Sequence, residues 1–538
     1  MSHALAFVLA AVAVIVVIHI VADRTGLPAA ALLTVAGVTY AALPGPNITL
    51  DPDVVLTFVI PPLLYSAAIN SSLLAIRRNL RVIISLSVVL VLVTAVLTGV
   101  GFALLVPGVA LGAGVALGAA VAPTDPVAAL AIGRRAGLPP RLITVIEGEG
   151  LLNDATALTT LTVAVVAVSE GFSFGATAVR FVLSAAGGVL VGVVVAAAVR
   201  LLRSVVDDPI LVNSISLATP FVAYLLGDEL QVSGVLAVVV AGLLISHDTP
   251  RATSGASRLQ TAAVWRLVDF LLEGFVFLLI GQQLAPAVQS LQSYSTATIV
   301  AAVAVSVGVV LVVRVLWLVL TQLLPRALHT RLGGENVHDD RRLGPTEVLV
   351  LSWAGTRGVI TLAAVATLPL VTETGASFPA RDLLVFCAFV VVLVTLVGQG
   401  LTFSPLVRAT GLRAGEADAA VTRNEARAAA VQAALSRLDQ LEAEGETSEE
   451  ALRALRGSLR QRSERYRRRL DVLARSEDGQ MPFSAGYESA LRARRAVIDA
   501  QRDELLRWRD EGRLPDSGLR ILEHELDLEE HMLPTRDH

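Results

Sequence analysis

Apolar runs of about 20 residues, separated by short polar connections, recur from the N-terminus to about Val407. The pattern predicts about thirteen membrane-crossing helices, near 4–22, 27–43, 53–70, 82–106, 109–133, 141–168, 175–200, 209–227, 231–246, 264–286, 295–324, 346–371 and 382–405. The first run lacks a basic leader and a small-residue cleavage pattern, so it reads as a membrane helix and not as a signal peptide. After Arg408 the pattern changes. Arg, Glu and Leu recur at helical spacing, as in EEALRALRGSLRQRSERYRRRLDVL, which predicts three or four water-exposed helices broken at Gly479, Pro482, Pro515 and Gly518. The expected domains are therefore a membrane domain, 1–407, and a helical tail, 408–538.

Two spans carry polar interruptions at mid-membrane. In GVALGAAVAPTDPVAALAIG, Pro123 and Pro126 each lack an N–H, so they break the helical ladder around Thr124 and Asp125 and free carbonyls that can bind a cation or a neighbour. In EVLVLSWAGTRGVITLAAVATL, Gly355 and Gly358 flank Thr356 and Arg357, permitting unwinding and leaving a guanidinium buried. These are the fifth and twelfth spans. If spans 1–6 and 8–13 are related halves separated by the seventh, equivalent helices cross in opposite directions, giving an inverted repeat with two broken helices at corresponding positions.

The stretch RLITVIEGEGLLNDATALTTLTVAVVAV, 141–168, is long enough to span a bilayer and holds Glu147, Glu149 and Asp154 within an apolar run. Each ionised carboxylate at that depth costs about 2.5–3.5 kcal/mol, which points to an ion or proton site. On this helix Glu149 and Asn153 share one side, and Gly150 and Asp154 another. Glu149 is the best carboxylate partner for buried Arg357, making a permanently ionised structural pair. Asp154 has no evident basic partner and is the expected transport carboxylate, its oxygens open to a proton or a small cation in competition. A site neutralised by either can cross a dry barrier at less cost than a bare anion, which favours exchange over leak. Glu147 lies nearer the cytoplasm, as a funnel wall or a regulatory acid, and Arg314 with Asp269 and Glu273 forms a candidate second ion pair, either scaffold or ion path.

Composition agrees with a membrane chain: of 538 residues 54% are hydrophobic, and the mean hydropathy is +0.68. The net charge of −4 carries little meaning because roughly half of the charged residues fall after Arg408. Every basic side chain is Arg. Arginines cluster in alternate connections, at Arg24, at Arg77 to Arg81, at Arg134 to Arg141, at Arg200 and Arg203, at Arg251 and Arg258, and from Arg326 to Arg342. Those connections are assigned to the cytoplasm, which puts the N-terminus outside and the C-terminus inside. Cys387 is the single cysteine and lies in an apolar run, so disulfide frameworks and cysteine metal sites are excluded. Nucleic-acid binding has no support beyond arginine clusters in the tail, and no intramembrane protease motif fits.

The stretches PPLLYSAAIN at 61–70, APTDPVA at 122–128, EGLLNDATAL at 149–158, VSGVLAVVVAGL at 232–243, FVFLLIGQQL at 275–284 and WAGTRGVITLA at 353–363 together resemble the cation:proton antiporter-1 family, which includes NhaP-type and NHE-type sodium/proton exchangers. The resemblance implies an all-α NhaA/NhaP-like inverted-repeat fold and a homodimer. It implies a core of spans 4–6 and 11–13 moving against a dimerisation domain of spans 1–3 and 8–10. It further implies a non-enzymatic, cofactor-free exchange of Na⁺ or Li⁺ for H⁺ across the plasma membrane, serving pH and sodium homeostasis. The Asn153 and Asp154 pair resembles the electroneutral class. By the same resemblance Asp154 binds the cation with Thr124, Asp125 and Asn153, while Glu149 and Arg357 form the buried salt bridge. Gly150 stands where the family commonly has Ser, which leaves K⁺ open as the exchanged cation. Broken helices with an intramembrane acid also suit a cation channel or an ion-sensing membrane protein. The tail is a regulatory or partner-binding element, or a solvated appendage.

Overall fold

The computed structural model describes residues 2–41, 52–170, 174–206, 208–323, 343–372, 377–412, 416–445, 448–474 and 485–531. The expected cytoplasmic connection from Arg326 to Arg342 and the expected tail breaks at Gly479 and Pro482 lie outside these residues. The architecture is all-helical, and among the described residues extended pairing is confined to one isolated bridge between Val371 and Ser377. Two compact units form, Met1–Arg413 and Ala414–His538, so the boundary falls six residues beyond the expected one. The reason is local: the last apolar helix, Gly400–Thr410, carries on past Val407 and ends only at Gly411, whose φ of +64° is the left-handed conformation that closes a helix.

Among the described residues seven helices are long and apolar enough to cross a membrane: Val8–Thr25, Leu80–Leu105, Pro140–Val168, Ala178–Arg203, Pro209–Glu229, Thr296–Leu323 and Arg381–Thr410. Shorter apolar helices, Ala29–Ala41, Val55–Ile69, Leu111–Val121 and Gly234–Thr249, lie between them. Gly255–Gln282 is equally long, but Arg258, Arg266, Asp269 and Glu273 interrupt its apolar character. Outward faces are apolar. Leu183, Leu190, Val194 and Leu201 are exposed on one helix, and Val312, Leu316, Leu320 and Leu323 on another, a pattern suited to hydrocarbon and not to water.

Inside, small residues let the helices approach closely. A Cβ at Gly118 would lie 2.6 Å from the Ala95 carbonyl oxygen, and one at Gly281 would lie 2.2 Å from that of Thr34, so neither helix pair tolerates a larger residue there. Gly188 and Gly192 in SAAGGVLVGV pack the same way against Ser233 and Ala237. The small-residue runs are therefore packing surfaces.

Among the described residues three helices contain wide π turns, at Val55–Val59, Ser85–Val89 and Val394–Gln399. Two of these present a hydroxyl to a neighbouring element. Ser85 accepts from the Trp317 indole at 3.1 Å, and Thr395 accepts from the backbone N–H of Arg357 at 3.0 Å.

The second unit holds four described helices, Glu416–Glu444, Glu449–Ala474, Ala485–Asp510 and Asp516–His531. Arg456 joins Asp439 and Glu442 across the first pair, and Arg502 joins Asp527 and Glu530 across the second. Pro515 marks a break as expected, whereas Gly518 falls inside the last helix.

Candidate functional site

Both interrupted spans are broken helices. One consists of Leu111–Val121 and Val127–Arg135, the other of Pro345–Trp353 and Val359–Ala366. Their breaks meet. The Asp125 N–H donates to the Thr356 carbonyl at 2.7 Å, and the Thr356 hydroxyl donates back to the Asp125 carbonyl at 2.7 Å. Thr356 thus satisfies both backbone groups of Asp125 at membrane depth, one through its carbonyl and one through its hydroxyl. The Asp125 carboxylate also accepts from the Val127 N–H at 3.0 Å, capping the second half-helix. A Cβ at Gly358 would fall 1.8 Å from Asp125 Oδ2, so glycine there serves close approach.

Against this crossing lies Pro140–Glu170. Its Glu149, 2% exposed, receives Arg314 from Thr296–Leu323 in a two-pronged ion pair, one guanidinium nitrogen on each oxygen, the second at 3.0 Å. Arg314 also donates to the Leu351 carbonyl at 3.1 Å and 2.9 Å. Glu149 Oε1 further accepts from the Thr124 hydroxyl at 2.9 Å, and Asn153 donates through Nδ2 to the Thr124 hydroxyl at 3.0 Å and to its carbonyl at 3.1 Å.

Two sequence expectations are corrected here. Glu149 pairs with Arg314 and not with Arg357. Arg357 donates instead to the carbonyls of Val121, at 2.6 Å, and Gly355, at 2.6 Å, which the helix breaks leave without N–H partners. Free carbonyls at a break thus satisfy a buried guanidinium as a carboxylate would, a competitor that charge pairing alone overlooks. The second expected pair, Arg314 with Asp269 and Glu273, does not form. Arg314 is committed to Glu149, and Asp269 accepts from the Ser66 hydroxyl at 2.5 Å.

The opposite face of Pro140–Glu170 looks into a cavity of 330 Å³. Asp125, Asp154, Glu147, Asp269 and Glu273 all line it, with Arg134 as the lining's one basic side chain. Glu147 takes Arg134 at 2.5 Å and the Ser71 hydroxyl at 3.4 Å, so the cavity is left strongly acidic. Asp154 is 3% exposed and makes no hydrogen bond or ion pair with any described residue; Asp125 lines the same cavity. Thr124 faces the cavity as well, but its hydrogen is spent on Glu149, and Asn153 is turned towards Thr124 and away from the cavity lining. Gly150 lines the cavity beside Asp154, and a Cβ there would come 2.6 Å from the Pro126 ring. Among the described residues no three His, Cys, Asp or Glu side chains converge as a metal-ligand set. Sequence reasoning overlooked Arg134 as the partner of Glu147 and Thr356 as the clasp. Arg134 sits one helix away from Glu147 in an unremarkable basic turn, and a threonine between glycines carries no signal of its own.

The family model described as sodium/hydrogen exchanger, transmembrane, matches residues 9–409. An uncharacterised Na⁺/H⁺ exchanger of Mycobacterium bovis is 34% identical over 540 residues, covering 98% of this chain and 96% of that one. The uncharacterised Na⁺/H⁺ exchanger YjcE of Escherichia coli is 31% identical over 91% of each chain. A sodium, potassium, lithium and rubidium/H⁺ antiporter of Bacillus subtilis is 29% identical over 69% of this chain and 56% of its own. In fold, the sodium proton antiporter MjNhaP1 from Methanocaldococcus jannaschii superposes with a TM-score of 0.60 at 17% identity, covering 75% of this chain and 98% of that one. A family match over nearly the whole membrane unit, joined to end-to-end similarity with named exchangers, places this chain in the sodium/hydrogen exchanger family, a family of membrane transporters and not of enzymes.

Proposed function

We propose that the protein exchanges a monovalent cation for a proton at Asp154, electroneutrally, with Na⁺ as the first cation and Li⁺ accepted. The observation that carries this reading is Asp154 itself: buried, without a bonded partner among the described residues, and sharing an acidic cavity with Asp125 at the crossing of two helix breaks. A carboxylate in that position is costly as a bare anion, so it holds either a proton or a cation when it passes a barrier. Competition for the same oxygens couples the two fluxes. Arg314 and Glu149 cancel each other and stand outside the exchange, and with Asp154 alone passing between proton and cation, one cation is exchanged for one proton.

In this reading the thirteen expected spans form an inverted repeat, with spans 4–6 and 11–13 as the moving core and spans 1–3 and 8–10 holding a homodimer. The protein then resides in the plasma membrane, N-terminus outside and C-terminus cytoplasmic, serving sodium and pH homeostasis, with the tail regulating transport or binding a partner. A K⁺/H⁺ exchanger is the second reading. Gly150 contributes no side-chain ligand, and the B. subtilis relative is named for potassium and rubidium as well as sodium.

The test is proton movement in proteoliposomes on addition of Na⁺, Li⁺ or K⁺, with wild type beside Asp154→Asn. Cation-triggered proton flux that ignores membrane voltage and vanishes in the variant is expected. Flux that persists in the variant would remove Asp154 from its role, and voltage-driven current without proton exchange would favour a channel.

A further inference from the structure

Four hydroxyl side chains line the cavity, Ser66, Ser71, Thr124 and Thr361. Ser66 donates to Asp269, Ser71 donates to the Ala67 carbonyl and reaches Glu147, and Thr124 donates to Glu149 while accepting from Asn153. Thr361 differs. It is 1% exposed, and its Oγ1 has no hydrogen-bond partner among the described residues. A buried hydroxyl left so is destabilising, which calls for a compensating use.

The cause lies in the helix break. Threonines within the helices here normally donate to the carbonyl four residues back, as Thr34, Thr98, Thr159, Thr160 and Thr395 do at 2.7–2.9 Å. Thr361 is the third residue of Val359–Ala366, so the residue four back is Arg357, inside the break, and the chain between them runs through Gly358 at φ −140° and ψ −143°. No helical carbonyl stands behind Thr361. Its hydrogen and both lone pairs remain free, on a wall shared with Asp125 and Asp154.

We propose that Thr361 is a neutral oxygen ligand of the transported cation and sets the site's preference among alkali ions. The inference rests on the exchange reading above. A cation stripped of water needs several oxygens, and two carboxylates supply too few. Gly150, beside Asp154, offers no side-chain oxygen, and the Pro126 ring fills the space into which one would project. Of the hydroxyls on the cavity wall, Thr361 is the one with nothing to give up before binding.

The experiment measures the apparent cation KM for Na⁺, Li⁺ and K⁺ in proteoliposomes for Thr361→Val, Thr361→Ser and the control Thr159→Val, together with cation-induced shifts in thermal stability in detergent. Thr361→Val should raise the KM for the preferred cation about tenfold and change the ion ranking, with Thr361→Ser within about twofold of wild type. The control, whose hydroxyl serves only its own helix, should not change. An unchanged KM and ranking in Thr361→Val would overturn the proposal. So would equal loss in the Val and Ser variants, which would mark a packing role. Wild type silent to all three cations would sink the exchange reading instead. In that case, a cation-induced thermal shift lost in Thr361→Val but kept in Thr361→Ser would sustain Thr361 as a ligand, and its persistence in Thr361→Val would not.

Discussion

Glu149 takes its charge partner from a helix more than a hundred residues further along the chain, and the choice between two buried arginines decides what each can do. Removing one member of a buried, fully bonded ion pair costs about 3–5 kcal/mol because the other charge is left uncompensated. Arg314→Met should therefore lower the unfolding temperature of the detergent-solubilised protein far more than Arg266→Met on an exposed helix face, and a thermal melt followed by tryptophan fluorescence would show it. At this scale the sequence is uneven. Asp154 and Glu149 stand out because an acid within an apolar run has no bland explanation. Arg314 and Arg357 stand out equally, and nothing in their spacing tells which one reaches Glu149. The rule that misled was to pair charge with charge, whereas Arg357 lies where two interrupted helices expose carbonyls. The state of the hydroxyls was hidden too: Thr124 is engaged by Glu149 and Asn153 from another helix, and Thr361 is left free by the position of the break in its own.

At the scale of elements, the glycines and prolines of the two interrupted spans were legible, since both remove what a continuous helix needs. The contact between the breaks was not, because a backbone bond and a threonine hydroxyl on a distant carbonyl leave no trace in the spacing of residue types. Gly358 tests that contact. Its substitution by Ala places a Cβ on Asp125 Oδ2, so Gly358→Ala should abolish cation-triggered proton flux, whereas Gly308→Ala, where a Cβ meets nothing within 4 Å, should keep it and slightly favour its helix. Comparable flux in the two variants would mean that the close approach of Asp125 is dispensable. The π turns were equally invisible, because Ser85 and Thr395 read as ordinary polar residues in apolar runs.

For the molecule as a whole, charge and hydropathy change near residue 408, and two compact units divide after Arg413. Each unit closes its own core: Ile498 and Leu526 pack together in the tail, while the membrane unit buries Phe102, Tyr65 and Phe389. A chain ending at Leu412 should accordingly retain cation-triggered proton flux in proteoliposomes, and complete loss of flux from a well-folded truncated protein would assign the tail an obligatory part in transport. The reciprocal bonds between Asp125 and Thr356 bear on affinity. Because the irregular backbone at the crossing is already satisfied by the protein, an arriving cation has no loop to order and spends none of its binding free energy on chain entropy. A preorganised site of this kind can hold its ion through good ligand geometry and still release it quickly, since letting go requires only side chains to relax.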